Sequence, residues 1–475
     1  MIRKFVNRRE ELEFLERTFR EDGLKVVILY GRRRVGKTEI INQFCKNKPH
    51  IYFLADKRGT LINSREFAAK SARYFDDLTP EVQNFDDVFD YISKRLKNRR
   101  VIIAIDEFSH LVEKDDSIPS VFQKIVDEHL KETNLYLIFC GSSISMMEKG
   151  VLSYKSPLYG RRTGQWKITP LKFKDSWLFL PKYSLEEFIR AFSVVGNIPA
   201  YLLQFDDSVS VYTNIKNRIL KKGNLLYEET EFILREELRE PSVYMSIIGA
   251  ITAGMTRVTE IANRCYMNAK DIPKYLRVLQ KLHIIHRVTP VTERRPETKK
   301  AIYQVSDNFF RFWFRFVYPN RSDLESGQTD IVFSRIRAEF DSYVGRIFEQ
   351  VCKEFLIDAN NRGHLPFHFT NIGRWWHRDN EIDIIALDKE TKEILFTECK
   401  WSNKRVGIKT YRELKEKSKL VNWFNDERKE YFAIFSRSGF KPELRNKDVL
   451  LFDLNDIKKS MSKKGGKEGN KGPWN

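Results

Sequence analysis

Short apolar runs alternate with helix-like segments in the first third of the chain. The runs at 26–30, 101–105 and 134–143 are almost entirely apolar, and amphipathic stretches such as EFAAKSARYF and FQKIVDEHLKE lie between them. Fully apolar runs of this length are typical of strands buried on both faces of a parallel sheet. The pattern therefore predicts an α/β sandwich with right-handed crossovers around a mostly parallel sheet.

Helical periodicity dominates the middle of the chain. Residues 184–240 are predicted to form helices that end at Pro241, and residues 242–305 read as three short helices followed by two strands that flank a basic tip. Three helices and two strands in this order predict a winged helix. Its expected phosphate contacts are Lys270, Lys274, Arg277, Arg294 and Arg295. The alternative is a structural extension that packs against the rest of the chain.

Two apolar runs in the last third carry charged residues. Residues 381–387 and 393–401 flank a polar turn, which predicts an antiparallel hairpin. Strand side chains alternate, so Asp383 lies on one face with Glu381, and Glu398 shares a face with Lys400. Buried acids must be paired, solvated or bound to a metal. Asp383, Glu398 and the Cys399 carbonyl are candidate Mg²⁺ ligands, and Lys400 is a candidate group to orient or deprotonate the attacking water. The alternative is a solvated pair of acids with Lys400.

The turn after the first strand matches the motif G-x-x-x-x-G-K-[ST]. Its glycines allow backbone N–H groups to surround phosphates, Lys37 reaches the β and γ phosphates, and the Thr38 hydroxyl holds Mg²⁺. The expected ligands are ATP and Mg²⁺. The nucleotide-binding residues predicted from the loop and the strands beside it are Gly31, Arg32, Arg33, Arg34, Val35, Gly36, Lys37, Thr38, Asp106 and Ser142.

The run VIIAIDEF supplies the acids that a P-loop requires. Asp106, at the carboxyl end of a parallel strand, is expected to face the P-loop and to bind the metal together with Thr38, while Glu107 polarises the attacking water. Ser142 is preferred over Ser143 as a γ-phosphate sensor. Arg161 and Arg162, in a loop flanked by glycines, are candidate arginine fingers. A surface salt bridge is the alternative for either arginine.

Several short motifs, taken in order, resemble one protein family. FVNRREELEFL, GRRRVGKT, AIDEF, SPLYGRRTG and VGNIPAYL together are similar to the archaeal-type ATPase family of P-loop proteins, which lies near the AAA+ and STAND ATPases. The resemblance continues to about residue 455. It implies that Pro199, in the segment 196–199, lies in a helical lid near the nucleotide. Asn7 stands where related sequences often have Gly.

Residues 381–400 resemble the core of PD-(D/E)XK nucleases, in which an acid, a hairpin turn and Glu-x-Lys follow one another. The resemblance implies a helix before the core, which residues 343–356 supply, and Glu349 matches the extra acid found on it. Ile382 departs from the motif, which has Pro at that position. A nuclease-like domain that binds nucleic acid without cleaving it is a second interpretation.

The amino-acid composition indicates which class of partner the protein binds. The charge is +19, from 84 basic and 65 acidic residues, which favours nucleic acid, with DNA ahead of RNA, over a merely soluble surface. The five cysteines show no pairing pattern, so a disulfide framework or zinc cluster is not expected. The absence of a long apolar run predicts no membrane span, and the start lacks the apolar core of a signal peptide, which predicts a cytoplasmic protein.

The predicted fold class is α/β multidomain, with a parallel-sheet P-loop core, a lid, a winged helix and a restriction-endonuclease-like domain. The predicted domains are an ATPase core at 1–172, a helical lid at 173–240, a winged helix with an aromatic connector at 241–325, a nuclease-like domain at 326–457 and a basic disordered tail at 458–475. The aromatic connector is predicted to pack between domains rather than to stack on bases.

The predicted function is ATP hydrolysis coupled to nucleic-acid binding and Mg²⁺-dependent phosphodiester cleavage. The alternatives are an ATP-dependent nucleic-acid-binding switch and an ATPase that only remodels proteins. The oligomeric state stays open, a homo-oligomer included.

Overall fold

The computed structural model describes residues 5–96, 98–238, 240–293, 298 and 300–462. The chain divides into two compact units. The first contains residues 1–171 and 198–200, and the second contains residues 172–197 and 201–475. The finer domain boundaries proposed from the sequence stay predictions.

Twenty α-helices and twelve strands are assigned within the described residues. The helices are α1 Arg9–Arg20, α2 Lys37–Cys45, α3 Thr60–Phe75, α4 Phe85–Leu96, α5 Phe108–Lys114, α6 Ile118–Ile125, α7 Ile144–Met147, α8 Phe173–Ser176, α9 Leu185–Val195, α10 Pro199–Leu202, α11 Val211–Asn214, α12 Leu225–Glu237, α13 Pro241–Thr252, α14 Val258–Arg264, α15 Ile272–Lys281, α16 Asn308–Phe312, α17 Arg321–Glu325, α18 Thr329–Asn361, α19 Ile408–Lys419 and α20 Leu454–Ser462. The strands are β1 Lys25–Tyr30, β2 His50–Leu54, β3 Val101–Asp106, β4 Leu135–Gly141, β5 Gly164–Lys167, β6 Ile285–Val288, β7 Ile302–Val305, β8 Asn371–His377, β9 Asn380–Asp388, β10 Glu393–Lys400, β11 Lys429–Ser436 and β12 Leu450–Asp453.

The first unit is built on a five-stranded sheet in the order β2-β3-β4-β1-β5. All four neighbouring pairs are parallel. Strands β3 and β4 are buried along their whole length, because separate hydrophobic cores cover the two faces of the sheet. The predicted parallel α/β core is confirmed.

The second unit begins with the helices α8, α9, α11 and α12. Helices α13, α14 and α15 follow, and then β6 and β7 pair antiparallel. Lys270, Lys274 and Arg277 are exposed in this segment. Arg294 and Arg295, predicted at the tip, lie outside the described residues.

The aromatic connector is buried. Trp313 is fully buried and its Nε1 donates a hydrogen bond to the carbonyl oxygen of Tyr227 at 2.9 Å. Phe309, Phe310 and Phe312 are also fully buried, and Phe314 and Phe316 nearly so. Rings with no exposed face cannot stack on bases, so base stacking by these six residues is excluded, while packing between domains stays a prediction.

The end of the second unit is a mixed five-stranded sheet in the order β12-β11-β10-β9-β8. The predicted hairpin forms between β9 and β10, with Ile394 opposite Leu387. The strand β8 and the parallel strands β11 and β12 extend it on either side. Helix α20 continues to Ser462. The prediction of a disordered tail is therefore wrong for residues 458–462, which are helical. The remaining tail, 463–475, lies outside the described residues.

Candidate functional sites

The P-loop lies between β1 and α2, and glycine is required at its two glycine positions for different physical reasons. Gly31 has φ +157°, and a Cβ atom there would lie 2.3 Å from the carbonyl oxygen of Ile168. The crowding arises because the Ile168 N–H donates to the Tyr30 carbonyl at 2.7 Å, which brings the chain after β5 against the start of the loop. Gly36 has φ +94°, a left-handed conformation that suits glycine, directly before α2. Any side chain at Gly31 would displace the loop.

Lys37 points back into the loop that precedes it. Its Nζ donates to the carbonyl oxygens of Gly31 at 2.9 Å and Arg32 at 3.1 Å, and the residue is buried. Burial lowers the pKa of the Lys37 ammonium, and the carboxylates of Glu107 and Asp106 oppose that shift. When a nucleotide binds, this ammonium can replace its hydrogen bonds to the carbonyl oxygens with hydrogen bonds to phosphate oxygens.

Asp106 joins the P-loop helix to the end of β3. Its Oδ2 accepts hydrogen bonds from the Thr38 hydroxyl at 2.7 Å and from the Tyr52 hydroxyl at 2.8 Å, and the residue is 1% exposed. Burial and the neighbouring Asp106 raise the pKa of Tyr52, which keeps its hydroxyl protonated as a donor. Thr38 and Asp106 supply the hard oxygen atoms that suit Mg²⁺. Tyr52 was absent from the predicted site, since only the register of β2 against β3 brings it there.

Glu107 follows Asp106 in a left-handed conformation, with φ 52°. Its carboxylate accepts hydrogen bonds from the Ser142 hydroxyl at 2.5 Å and the Ser142 N–H at 3.2 Å. Ser109 donates to the same carboxylate at 3.4 Å. The structure therefore brings together the predicted water-polarising acid and the predicted sensor serine.

Arg161 and Arg162 lie at a different place on the sheet. Both arginines directly precede β5. Because Gly164, the first residue of β5, pairs in parallel with Val27, the start of β5 lies beside the first half of β1. The P-loop, in contrast, follows the last residue of β1. Arg161 pairs with Asp127 at 2.8 Å, and the Arg162 guanidinium lies 4.3 Å from the ring centroid of Tyr159. Within the described residues neither arginine contacts the P-loop or its acids. The predicted alternative, a surface salt bridge, matches the contact of Arg161.

The remaining predicted nucleotide residues lie in the first unit. Arg32, Arg33 and Arg34 are half-buried in the loop, and Arg34 adopts φ 67°. Pro199 begins α10, and residues 198–200 group with the unit that contains the P-loop.

Arg8, a buried arginine that was not among the predicted site residues, forms a hydrogen bond to the backbone of the P-loop. The guanidinium of Arg8 donates to the Val35 carbonyl at 2.7 Å and to the Thr169 carbonyl at 2.8 Å, and it pairs with Glu11 at 2.9 Å. The backbone bends sharply at this point, with φ 54° at Asn7 and 68° at Arg8. Asparagine tolerates the left-handed conformation better than most residues, which explains why it can replace the usual glycine.

The second candidate site lies on the β9–β10 hairpin. Asp383 and Glu398 are 8% and 6% exposed. The Cys399 N–H donates to Asp383 Oδ2 at 2.8 Å, and Lys400 Nζ donates to Glu398 Oε1 at 2.6 Å. Lys417, from α19, donates to Glu398 Oε2 at 3.3 Å and was not predicted. Both acids are therefore buried rather than solvated, but only Glu398 is ion-paired, whereas Asp383 accepts a backbone hydrogen bond.

Glu349, on α18, completes the predicted group of acids. Burial raises the pKa of Glu349 to about 8, and the carboxylate of Asp383 adds to the shift. Burial and the Glu398 charge raise the pKa of Asp383 to about 6. Arg374, on β8, offsets part of this charge at 3.4 Å from Glu349 and was also not predicted. Long-range packing, rather than local spacing, brings Arg374 to the site.

The number and kind of donor atoms at the hairpin decide whether Mg²⁺ fits there. Within the described ranges, no cluster of three or more His, Cys, Asp or Glu side chains has the arrangement of a metal site. Asp383 and Glu398 provide carboxylate oxygens, so a cation here would also need the Cys399 carbonyl or water as ligands. Their oxygen chemistry suits Mg²⁺, and a cation would offset the repulsion between the two buried acids.

The sheet order, the P-loop between β1 and α2 and the acids at the end of β3 together define a P-loop ATPase. A family model described as an ATPase domain predominantly from Archaea matches residues 5–205 and agrees with this class. A second model, described as archaea bacterial proteins of unknown function, matches residues 313–418. An uncharacterized protein of Methanocaldococcus jannaschii is 40% identical over 455 residues, which cover 95% of this chain and 100% of that protein. The chain belongs to the archaeal-type P-loop ATPase family, and it is an ATP-binding ATPase.

Other similarities are shorter or more distant. An uncharacterized ATP-binding protein of Methanocaldococcus jannaschii is 64% identical over 44 residues, 9% of this chain and 75% of that protein. A Walker-type ATPase of Pyrococcus abyssi is 20% identical with a TM-score of 0.48, and the match covers 66% of this chain and 96% of that one. The ORC2 protein of Aeropyrum pernix is 12% identical with a TM-score of 0.43 over 70% and 96% of the two chains. We draw no conclusion from the last two.

The sequence predicts that no segment spans a membrane. In the part of the chain that the structure describes, no helix combines the length and the apolar character needed to cross a bilayer.

Proposed function

We propose that this ATPase uses ATP to control nucleic-acid binding and Mg²⁺-dependent phosphodiester cleavage by its C-terminal sheet. The observation that carries the proposal is the cluster formed by Asp383, Glu398, Lys400 and Glu349. The two strand acids are buried and lie beside an ammonium group and a third acid. Buried acids with raised pKa values next to a specific charged partner are a common feature of functional sites.

The nucleotide half of the proposal assigns each residue a separate task. The P-loop N–H groups and Lys37 bind the phosphates, and Thr38 and Asp106 would hold Mg²⁺. Glu107, held by Ser142, orients the water that attacks the γ-phosphate, because its carboxylate is a hydrogen-bond acceptor fixed at the end of β3. Pro199 lies in the lid proposed to cover the nucleotide.

The cleavage half assigns tasks to the hairpin residues. Mg²⁺ held by Asp383 and Glu398 would supply Lewis-acid stabilisation of the charge that develops on the phosphate. Lys400, whose ammonium is fixed by Glu398, orients the attacking water, and it could accept a proton from that water only after losing its own proton to become a neutral amine. Burial lowers the pKa of Lys400, but the charge and hydrogen bond of Glu398 together with the charges of Asp383 and Glu413 outweigh this effect and raise it. Orientation of water therefore suits the resting ammonium better than proton removal.

The segment α13–α15 with β6 and β7 is proposed to act as a winged helix that contacts the nucleic-acid backbone. Lys270, Lys274 and Arg277 are exposed on it and are available to phosphates. The net charge of +19 favours a polyanionic partner, with DNA preferred to RNA.

Cleavage assays test the proposal directly. Single- and double-stranded DNA and RNA are incubated with the full chain and Mg²⁺ or Mn²⁺, with and without ATP. We expect cleavage by the wild type, its loss in Asp383→Asn, and a changed ATP response in Lys37→Ala. Lys389→Ala, an exposed lysine in the β9–β10 turn, is the matched control.

The alternative function predicts a different pattern in the same assays. Retained ATP hydrolysis and salt-dependent nucleic-acid binding, with no cleavage of any substrate, would favour an ATP-dependent binding switch. Cleavage that persists in Asp383→Asn would contradict the proposed active site. ATP hydrolysis with no nucleic-acid binding would favour a protein-remodelling role.

A further inference from the structure

A groove in the second unit lies between the α13–α14 loop and the β8–β9 hairpin. Its volume is 350 Å³, and its walls include Thr256 and Arg257 on one side and Arg374, Trp376 and Arg378 on the other. Arginines and an aromatic ring along one groove are the groups that bind a nucleic-acid strand through its phosphates and bases. No residue of this groove belongs to the exposed face of α15, where the sequence predicted the phosphate contacts.

Arg374 connects the groove to the candidate cleavage site. It lines the groove and also contacts Glu349 at 3.4 Å and Glu381 at 3.3 Å. Glu381 lies two residues before Asp383 on β9, so the two side chains point to the same face of the sheet. A strand lying in the groove would therefore lead toward the acids of the hairpin.

Arg378 occupies a backbone position that favours a different residue. It lies in the two-residue turn between His377 and Asn380 and has φ 52°. Such turns favour Asn or Gly, since a long side chain in the left-handed region is strained by about 1 kcal/mol. The Arg378 side chain is exposed, and no acid of the described residues pairs with it. A strained, unpaired cation at the mouth of a groove is available to an anion.

Trp376 contributes a second unsatisfied group. It lines the groove, and its Nε1 is buried without a hydrogen-bond acceptor among the described residues. A buried N–H without an acceptor costs about 1–3 kcal/mol. Because the Nε1 atom itself is buried, the ring must shift before a phosphodiester or base oxygen in the groove can accept this hydrogen bond.

We propose that this groove binds the substrate strand of nucleic acid and guides it to Asp383 and Glu398, with Arg257 and Arg378 on phosphates and Trp376 donating to the strand. The inference rests on the proposed function and specifies its substrate path. The acids Glu260, Asp379 and Glu381 also line the groove, so the strand must approach along the side where the arginines lie. The Arg257 Nε lies 4.0 Å from Glu260, a contact loose enough to exchange for a phosphate.

Equilibrium binding tests the groove without requiring cleavage. Fluorescein-labelled single and double strands of DNA and RNA are titrated with the full chain in the Asp383→Asn background, over a series of salt concentrations. We expect Arg257→Ala/Arg378→Ala to weaken binding at least 10-fold and to reduce the salt slope by about 1.5–2, because two phosphate contacts are lost. Lys389→Ala, which removes a cation from the other hairpin turn, should bind as the parent does.

A second measurement locates the strand. An oligonucleotide that carries iodouracil is photo-cross-linked to the full chain, and the modified peptide is identified by mass spectrometry. We expect a cross-link at Trp376, and its loss in Trp376→Leu with circular dichroism unchanged. The exposed Tyr266, which is 94% exposed at the end of α14, is an internal control that should remain unmodified.

The outcomes separate this inference from the proposed function. Groove-dependent binding without cleavage by the wild type would support the groove and contradict the nuclease. Cleavage that is insensitive to both groove variants, or cross-links confined to α15, would overturn the groove and leave the nuclease in place. Binding too weak to measure at low salt would overturn the inference as well.

Discussion

The two candidate sites use buried carboxylates in opposite ways. At the P-loop, Asp106 is satisfied by two hydroxyl donors, Thr38 and Tyr52, and the site is assembled from elements next to one another in the sheet. On the hairpin, Asp383 lies close to a second acid and its pKa is raised to about 6 by burial and by the Glu398 charge. The acid of the first site is stabilised by hydrogen-bond donors, whereas the acids of the second retain a repulsion that a bound cation would relieve.

The largest effect is expected at Lys37. Replacing it with Ala removes the cation that reaches the phosphates, so we expect ATP hydrolysis to fall by about 10²–10³-fold, as for other losses of one transition-state contact. Phosphate release measures the effect. Lys46→Ala, at the exposed end of the same helix, should retain wild-type turnover. Equal losses in both variants would contradict a specific role for Lys37.

Gly31→Ala is expected to act through the backbone. The added Cβ would meet the Ile168 carbonyl at 2.3 Å, so the loop must move, and we expect a loss of about 2 kcal/mol in stability together with most ATP binding. Thermal unfolding and binding of a fluorescent ATP analogue measure the two effects. Gly23→Ala, which also changes a left-handed glycine but meets no neighbouring atom, is the control. A variant with normal ATP binding would show that the crowding at Gly31 is unimportant.

Metal addition should distinguish the two sites. Mn²⁺ without nucleotide should stabilise the wild type by about 1–3 kcal/mol at concentrations well above its dissociation constant, because the cation binds only the folded chain. Asp383→Asn should abolish most of that gain, while Thr38→Ala should leave it intact. Thermal unfolding with and without Mn²⁺ measures this. A gain that depends on Thr38 instead would place the cation at the P-loop.

The smallest effect is expected at Tyr52. Tyr52→Phe removes one of the two hydroxyl donors to Asp106 and leaves the ring, so we expect a change of about 1 kcal/mol, or about 5-fold, in the affinity for Mg²⁺–ATP. Titration with a fluorescent ATP analogue in Mg²⁺ measures it. No change would mean that Thr38 and the Glu107 N–H, which also donates to Asp106, orient this carboxylate without Tyr52.

The sequence predicted the parts of each site that local rules determine. The P-loop, Asp106 and Glu107 follow directly from a strand that ends in a motif, and the β9–β10 hairpin follows from alternation around a polar turn. Tyr52, Arg8, Arg374 and Lys417 could not be predicted in the same way. Each reaches its site through the register of a neighbouring strand or the packing of a distant helix, which spacing along the chain does not encode.

The short strand β5 has a consequence for the kinetics of the ATPase. Its parallel pairing with β1 holds Arg161 and Arg162 near Val27, and Gly31 lies four positions further along, about 13 Å at ~3.3 Å per residue. At this distance neither guanidinium reaches phosphates bound by the P-loop of the same chain. We therefore expect ATP hydrolysis by a single chain to lack the acceleration of about 10³–10⁵-fold that either arginine would supply as an arginine finger.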